Sequence, residues 1–460
     1  MKRKIIIASS IFLIFIILYL LINEVGKKQS VLSPLKNKIS SETKYKIKKI
    51  FLPYKTINDY EKSIREINNS PLKKELMVKK KREKIIFRGN RQIKIFNKEM
   101  ELKLFNNVNQ IFAGINRKTP GSAYLDFFQN NLIIVSSAGI IGHSENFNED
   151  NISFNQIENN LENIVNFKSF LNIKKMIEAF SVKDLLIFNN KIYISYTNQI
   201  SEKCWNTSIV FAEMNFKKLE FKKLFEPKEC IPEESELNEF NAHQSGGRMV
   251  PYDNQHILFT IGEYRLRKKA QNKESIFGKI LKINLNEKNY KILSMGHRNP
   301  QGLTYDKTNN IILSTEHGPR GGDEINLIKT KIDKIQNFGW PVSSYGEHYG
   351  DEKISKHKYK LYPLKKSHKN FGFIEPLKYF VPSIGISEII TYDKNKYIVS
   401  SLKEKNLYLL YLNEKLEINE IKEIKIGERI RDMIYIKQLD KIILFLEDSA
   451  TIGIIQNYEN

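Results

Sequence analysis

Cysteine is scarce in this chain of 460 residues, which contains only Cys204 and Cys230. Two thiols cannot form a cysteine-rich metal site by themselves. They leave two interpretations open, a single disulfide in an exported protein or two unrelated buried thiols. The sequence also lacks a phosphate-binding loop and a dinucleotide-binding fingerprint, which argues against nucleotide chemistry.

The composition nevertheless supports a folded protein with a sizeable core. Hydrophobic residues make up 41% of the chain and aromatic residues 11%, so extensive disorder is not expected. The length is consistent with one large all-β domain that carries an extension.

The formal net charge of +22 is unevenly distributed. Residues 1–100 hold 25 Lys and Arg against 8 Asp and Glu, whereas residues 101–460 hold 49 against 44. A basic excess beside an apolar N-terminal segment favours contact with anionic lipid over nucleic acid. A codon bias towards Lys, Asn and Ile is the alternative explanation. We therefore expect no nucleic-acid partner.

The N-terminus carries a targeting signal. Three basic residues precede an apolar run from Ile5 to Ile22, which is about 27 Å long as a helix and just long enough to span hydrocarbon. No small-residue cleavage site follows, so an uncleaved anchor over 1–23 is favoured over a cleaved signal peptide. We expect a domain on the periplasmic face of the inner membrane, or a secreted one if the segment is cleaved. A basic stalk with short helices is predicted for 24–100.

From residue 101 to 460 the sequence shows a repeated pattern of apolar strand, polar turn and apolar strand. Such repeats predict a six-bladed β-propeller, with four strands in each blade. The second strands of the hairpins begin near Leu132, Ile192, Ile257, Ile311, Ile398 and Ile442.

Polar residues cluster where the first strand of a hairpin begins and where the second one ends, two positions that lie at the same end of the hairpin. The first group lies at His243–Arg248, His297–Gly302 and Arg429–Asp432, and the second at Glu263, Glu316–Pro319, Lys403 and Asp448. These positions predict a functional site at one mouth of the propeller.

Three segments in the middle of the chain resemble the PQQ-dependent aldose sugar dehydrogenases, the glucose/sorbosone dehydrogenase family. They read GHRNPQGLTYD from Gly296, STEHGPRGGDEINLI from Ser314 and NFGWPVSSYGEHY from Asn337. The resemblance implies oxidation of the C1 hydroxyl of an aldose sugar by hydride transfer to PQQ. It leaves the electron acceptor unidentified.

The resemblance also implies roles for individual residues. His243 would be the general base, and Arg298 would stabilise the negative charge that develops on the quinone oxygen. Asn299 would be a second donor, and Gln301, which shapes the start of its strand, is counted with the cofactor contacts. His297 and His317 remain as alternative bases or as residues that line the rim.

PQQ carries three carboxylates, so its site needs fixed cations. The resemblance assigns this role to Lys403, Arg429 and Arg431. It further implies that the carbonyl oxygens of Gly318 and Pro319 bind a Ca²⁺ ion that contacts PQQ. Two acidic residues resemble ligands of a second, structural calcium ion, namely Asp323 and Glu324.

Two departures from the family pattern are visible, because Glu263 replaces the usual Asp and Val381 stands where an aromatic residue occurs.

Two other functions also remain open. One is a propeller that binds a glycan without catalysis, and the other is a calcium-dependent six-bladed lactonase. The combination of cations with a histidine favours the dehydrogenase over both.

Overall fold

The computed structural model describes most of the chain after residue 81. The described ranges are 82–107, 122–145, 147, 152–164, 181–234, 237–350 and 352–458. The predicted membrane anchor 1–23 and residues 24–81 of the predicted stalk lie outside them. Within these ranges, no helix is both long enough and apolar enough to cross a membrane.

The first two strands come from a region for which the sequence predicts a helical stalk. They are β1 (Arg82–Ile95) and β2 (Lys98–Asn107), which form an antiparallel hairpin. Residues 82–100 are therefore extended, and the β-sheet region begins before residue 101. In β1 no clear alternation marks a strand, since Ile85 and Ile95 are buried but no residue between them is, and a bulge shifts the register between Phe87 and Gly89.

Three antiparallel sheets follow in chain order. The first comprises β3 (Ala123–Phe128), β4 (Asn131–Ser136), β5 (Ile141–Ser144) and β6 (Ser153–Asn159), followed by helix α1 (Leu161–Ile164). The second comprises β7 (Val182–Phe188), β8 (Lys191–Ser201), β9 (Cys204–Glu213) and β11 (Lys222–Phe225), with short strands β10 (Lys218–Leu219) on β6 and β12 (Ile231–Pro232) on β9. The third comprises β13 (Gly246–Asp253), β14 (His256–Ile261), β15 (Lys279–Asn284) and β16 (Tyr290–Met295), with helix α2 (Lys268–Gln271) in its connection.

Three more sheets complete the domain. The fourth comprises β17 (Pro300–Asp306), β18 (Ile311–Glu316), β19 (Asp323–Lys329) and β21 (Lys378–Phe380). Its last connection holds β20 (Gln336–Asn337), which pairs with β16, and helix α3 (Glu352–Leu361). The fifth comprises β22 (Ile386–Asp393), β23 (Lys396–Ser401), β24 (Asn406–Leu412) and β25 (Ile418–Lys425). The sixth comprises β26 (Ile430–Ile436), β27 (Lys441–Leu446) and β28 (Thr451–Asn457).

The two ends of the domain meet in the sixth sheet. Strand β2 pairs with β28 and supplies the fourth strand, while the start of β1 pairs with β6 of the first sheet. The first strands of the six sheets neighbour one another in a closed ring, in the order β3, β7, β13, β17, β22 and β26. This arrangement is all-β and propeller-like, and it confirms each of the six predicted second strands.

The apolar cores lie between neighbouring sheets. Between the fourth and fifth sheets, for example, Leu313, Val399 and Leu410 are fully buried against one another. Complete burial of one such side chain contributes roughly 1.5–3 kcal/mol to folding. Because apolar side chains occupy these interfaces, polar side chains at the strand ends are left to line the central opening.

A disulfide joins Cys204 at the start of β9 to Cys230 just before β12. It closes a loop with a sequence separation of 26 residues on the second sheet. Of the two interpretations that the sequence left open, the disulfide is the one observed.

Candidate active site

A cavity of about 640 Å³ lies where the first strands begin, and all six sheets contribute to its lining. This volume falls in the range typical of small-molecule sites. The cavity brings together ten predicted site residues, namely His243, Arg298, Asn299, Gln301, Gly318, Pro319, Asp323, Lys403, Arg429 and Arg431. Glu324 is the one predicted site residue that does not line it.

His243 lies in a short turn that is fixed from both sides. The turn, Ala242–Gln244, begins after Asn241, whose Oδ1 accepts a hydrogen bond from the His243 backbone nitrogen at 2.9 Å. The backbone nitrogen of Tyr264 donates to the Gln244 carbonyl at 3.0 Å, and that of Asn241 donates to the Tyr264 carbonyl at 3.2 Å. These bonds hold the backbone in place while the His243 side chain is exposed in the cavity.

Arg298 is only 6% exposed and is bound to the loop that follows β18. Its Nη1 donates to the carbonyl oxygens of His317 and Gly318, at 2.8 and 2.6 Å, and its guanidinium carbon lies 5.5 Å from the Trp340 ring. Burial lowers the pKa of Arg298. The guanidinium group is thus held rigidly at the wall of the cavity, where it can stabilise a negative charge.

Asn299 and Gln301 connect the third and sixth sheets. Asn299 Oδ1 accepts from the backbone nitrogen of Gly246 at 3.2 Å and from Gln301 Nε2 at 3.0 Å. Gln301 Oε1 in turn accepts from Arg431 Nη1 at 3.3 Å. Both amides line the cavity, and both position neighbouring groups.

The remaining predicted cations lie on the fifth and sixth sheets. Arg429 and Arg431 each donate from Nε to the buried carboxylate of Glu447, at 2.9 and 2.6 Å. They therefore share one face of the strand start, as their spacing predicted. Lys403 donates to the Ser383 carbonyl at 2.9 Å and has a more exposed side chain. Glu447 thus balances two of these cations, and Lys403 pairs with Glu404 at 2.9 Å.

The two predicted acidic ligands are the first two residues of β19, and their side chains face opposite sides of the strand. Asp323 Oδ1 accepts from the Gly318 nitrogen at 3.1 Å, and its Oδ2 accepts from the Gly385 and Ile386 nitrogens at 2.8 and 3.1 Å. Glu324 points to the other side of the strand, where its carboxylate lies 3.4 Å from His368 Nε2. In the described part of the chain, no group of three or more His, Cys, Asp or Glu side chains is placed to hold a metal ion.

The two histidines kept as alternative bases differ in position. His297 is fully buried, and its Nε2 lies 2.8 Å from Ser294 Oγ, so it cannot contact a substrate in the cavity. His317 lines the cavity, and its Nδ1 lies 3.8 Å from Asp323 Oδ1. His317 therefore remains an alternative base or a residue of the rim, and His297 is a structural residue.

A family model for glucose/sorbosone dehydrogenase matches residues 187–456, which is more than half of the chain. The chain belongs to the glucose/sorbosone dehydrogenase family. The resemblance inferred from the three sequence segments is thereby confirmed.

Relatives and solved structures agree with this membership. The chain is 27% identical over 270 residues to the aldose sugar dehydrogenase YliI of Escherichia coli, covering 53% of this chain and 67% of that protein. It is 31% identical over 188 residues to the uncharacterized protein slr1608 of Synechocystis, and this match covers 36% of this chain and only 42% of that protein. The PQQ-bound aldose sugar dehydrogenase of Streptomyces coelicolor superposes with a TM-score of 0.52 at 15% identity, covering 75% and 95% of the two chains. This last similarity shows a shared fold.

Many residues that line the cavity of this glucose/sorbosone dehydrogenase family member were not predicted as site residues, among them Gln244, Arg265 and Glu447. Gln244 directly follows His243, and Glu447 ends the second strand of the last hairpin, so both had a positional signal in the sequence. Arg265 lies in an irregular connection after β14, where neither a period nor a motif indicates the direction of its side chain.

Beneath the cavity, one buried arginine connects four of the six sheets of this family member. Arg248 Nη1 donates to Asp184 Oδ1 at 2.6 Å and to Asp432 Oδ1 at 2.7 Å, and its Nη2 contacts Glu388. Burial raises the pKa of Asp184 to about 8, so the carboxyl groups need not all be charged at neutral pH. The network lies next to the cavity, since Arg248 Nε donates to the carbonyl oxygen of the cavity residue Gln301 at 3.1 Å.

Proposed function

We propose that this protein is a quinoprotein sugar dehydrogenase, a six-bladed propeller that oxidises the C1 hydroxyl of an aldose with PQQ as its cofactor. One observation carries the proposal, the convergence of an exposed imidazole and four cationic side chains in a single cavity. These residues are His243, Arg298, Lys403, Arg429 and Arg431. The named activity of the E. coli relative and the PQQ bound to the Streptomyces coelicolor enzyme give the proposal further support.

The donors present fit a quinone with three carboxylates. Arg429 and Arg431 share Glu447, so together they keep one net positive charge, and Lys403, whose partner Glu404 is exposed, adds an ammonium group to the lining. Guanidinium groups match carboxylates with paired hydrogen bonds. Arg298 lies on a different wall, where a donor can bond to a quinone oxygen. When bound, PQQ would supply the hydride acceptor.

The chain's own residues would handle the proton and the orientation of the substrate. His243 accepts the proton of the C1 hydroxyl, because it is the exposed imidazole whose backbone is fixed at the cavity wall. Arg298 stabilises negative charge from a rigid position, since His317 and Gly318 accept its Nη1 hydrogen bonds. A binding module for neutral glycans would need neither a base nor several cations.

Calcium is a second proposed cofactor. Carbonyl oxygens on a tight loop are suitable ligands for this cation. The loop is tight, because a Cβ atom at Gly318 would lie 2.1 Å from the Gly322 oxygen. The Gly318 oxygen already accepts a hydrogen bond from Arg298, so a cation there would compete with that guanidinium. The proposed second, structural calcium ion would need Asp323 and Glu324 as ligands. These two side chains face opposite sides of their strand and have separate protein partners, so they do not converge on one point.

A titration tests cofactor and activity together. The purified domain would be titrated with PQQ in the presence of either Ca²⁺ or a chelator, with binding followed by absorbance. Dye reduction would then be assayed across a panel of aldoses. We expect saturable PQQ binding and sugar-dependent reduction. If PQQ does not bind with Ca²⁺ present, the dehydrogenase proposal is wrong and the glycan-binding alternative takes its place.

We further propose that residues 1–23 anchor the domain at the periplasmic face of the inner membrane. The support is the apolar run Ile5–Ile22 with three basic residues before it. The lysines that follow the run favour the opposite orientation, but long domains translocate largely regardless of such charges. Membrane fractionation with protease added to spheroplasts would test this. We expect the domain in the membrane fraction and accessible to the protease, and protection from protease would contradict the proposed orientation.

A further inference from the structure

Arg265 is held in the cavity by an unusual backbone conformation. Tyr264 and Arg265 have φ angles of 51° and 68°, so two successive residues other than glycine lie in the left-handed region. Each such residue costs of the order of 1–3 kcal/mol, and such strain persists where surrounding contacts enforce it. Tyr264 supplies those contacts, since it is fully buried and its hydroxyl lies 2.7 Å from Thr207 Oγ1.

Among the described residues no carboxylate lies within ion-pair distance of Arg265, although Glu263 interacts with its charge from further away. In the described part of the chain Arg265 forms no ion pair, whereas Arg429 and Arg431 share Glu447. With the Gln244 amide oriented to donate to Glu263, its oxygen accepts from Arg265 Nε and from Arg298 Nη2, both at 2.8 Å. Two guanidinium groups therefore meet at one neutral oxygen atom. This arrangement leaves positive charge at the cavity wall.

The position of Arg265 is on the side of the proposed base. Its neighbour Tyr264 forms the two backbone hydrogen bonds that fix the turn carrying His243. The Arg265 guanidinium carbon also lies 5.8 Å from the ring of Tyr349, another residue of the cavity lining, which is 41% exposed. The cations assigned to the PQQ carboxylates, in contrast, come from the fifth and sixth sheets, whereas Arg298, assigned to a quinone oxygen, shares the Gln244 oxygen with Arg265.

We propose that Arg265 binds an anionic group of the substrate, so that the preferred substrate is an acidic sugar, with a carboxylate or a phosphate, rather than a neutral aldose. This inference rests on the proposed function. A guanidinium group pairs with either anion through two parallel hydrogen bonds. A sugar bound in this way lies next to His243, because the backbone of Tyr264, the neighbour of Arg265, is hydrogen-bonded to the turn that carries His243.

The test compares acidic and neutral sugars on the PQQ-loaded protein. The ratio of kcat/KM for glucuronate over glucose, and for glucose 6-phosphate over glucose, would be measured for wild type and Arg265→Gln. Loss of one charge-assisted bond should lower the ratio for the correct anion by about ten- to hundredfold. A fall in only one of the two ratios identifies the anion as carboxylate or phosphate. Arg265→Glu should reverse the preference towards the cationic sugar glucosamine.

Arg320→Gln is the matched control. Arg320 packs on the same Tyr349 ring at 5.9 Å but does not line the cavity, so both ratios should keep their wild-type values. Wild-type ratios near one, or ratios that Arg265→Gln leaves unchanged, would overturn the inference. A weaker PQQ affinity in Arg265→Gln with unchanged sugar ratios would also overturn it, because Arg265 would then belong to the cofactor site.

Calorimetry on the protein without PQQ separates this inference from the proposed function. Glucuronate and glucose 6-phosphate would be titrated into wild type and Arg265→Gln, with glucose as the neutral reference. If neither PQQ binding nor sugar oxidation is observed, the dehydrogenase proposal fails. Binding of an acidic sugar that Arg265→Gln abolishes would still support the anion site, and equal weak binding of acidic and neutral sugars would overturn it.

Discussion

Arg431 donates from Nε to Oε1 of Glu447 over 2.6 Å, and this carboxylate, which is completely buried, also receives the Nε of Arg429. Glu447→Gln removes the charge that holds both guanidinium groups. We expect the free energy of unfolding to fall by about 3 kcal/mol, the lower end for breaking a buried ion pair, because both arginines are partly exposed. The dissociation constant of PQQ should rise, since its proposed carboxylate partners lose their orientation.

Denaturant unfolding and PQQ titration would measure these two effects. Glu404→Gln is the control, because Glu404 pairs with Lys403 at 2.9 Å with both side chains well exposed. Exposed pairs of this kind contribute about 0–1 kcal/mol. Equal loss of stability in the two variants would contradict the role assigned to Glu447.

Substitutions at the base and at the cofactor cations should have opposite effects. His243→Ala should leave PQQ affinity nearly unchanged and lower turnover by about 10²- to 10⁴-fold, the usual contribution of general-base catalysis. Lys403→Ala or Arg429→Ala should raise the PQQ dissociation constant by about ten- to hundredfold, with much of the turnover recovered at saturating PQQ. Absorbance titration and dye reduction give the two readouts. Loss of cofactor binding in His243→Ala would show that these roles are assigned wrongly.

The strand pattern and the cavity could be predicted because both depend on local periodicity. Each predicted second strand, such as the one at Ile311, is an apolar run between polar turns and lies between two other strands. Residues that begin or end such hairpins, such as His243 and Lys403, must meet at one end of the ring. Knowledge of the hairpins therefore predicted that these residues share one cavity, although many other lining residues were not predicted.

Other features depend on contacts between distant parts of the chain, which periodicity does not show. Strand β1 is rich in charge, and its pairing through β2 to the C-terminal strand cannot be inferred from Ile85 or Ile95 alone. Adjacency in the sequence groups Glu324 with Asp323, yet adjacent residues of a strand face opposite sides. The direction of Arg265 depends on two left-handed residues, which no amphipathic pattern indicates.

Because the N-terminal strands close the ring, the stability of a truncated domain should depend sharply on the residue at which it begins. A fragment that begins at residue 82 retains β2 as the fourth strand of the sixth sheet, and we expect it to fold. A fragment that begins at residue 108 exposes the edge of β28 and its buried neighbours, such as Ile455. Unpaired apolar edges favour aggregation. Size-exclusion chromatography and thermal unfolding would compare the two fragments, and equal stability would contradict a closing role for β2.

The disulfide between Cys204 and Cys230 should stabilise the second sheet without affecting the cavity. On the chain-entropy model, a loop of this length contributes about 3 kcal/mol. The double substitution of Cys204→Ser with Cys230→Ser should lower the free energy of unfolding by that order, while the PQQ dissociation constant stays at its wild-type value. Urea unfolding and absorbance titration would measure the two quantities. A large change in PQQ affinity would show that the loop reaches the site.

Asp126 on β3 should make stability depend on pH. Its carboxylate accepts hydrogen bonds from the backbone nitrogens of Phe127, at 2.7 Å, and of Ile187, but burial raises its pKa to about 7. An unfolded chain has an Asp pKa near its ordinary value of 3.8. Between about pH 4 and pH 7 the folded protein therefore binds more protons at this position, and stability falls as the pH rises through this window.

Asp126→Asn removes this proton-binding group and keeps the shape of the side chain. Its unfolding free energy should decline less steeply than that of wild type between pH 4 and 7, by at most about 1.4 kcal/mol per pH unit. Above pH 7 the two curves should run parallel, because Asp126 is then ionised in both states of the wild type. Urea unfolding at intervals across this range would measure the slopes. Identical slopes would show that Asp126 stays ionised in the folded protein, and that its two backbone hydrogen bonds outweigh the effect of burial.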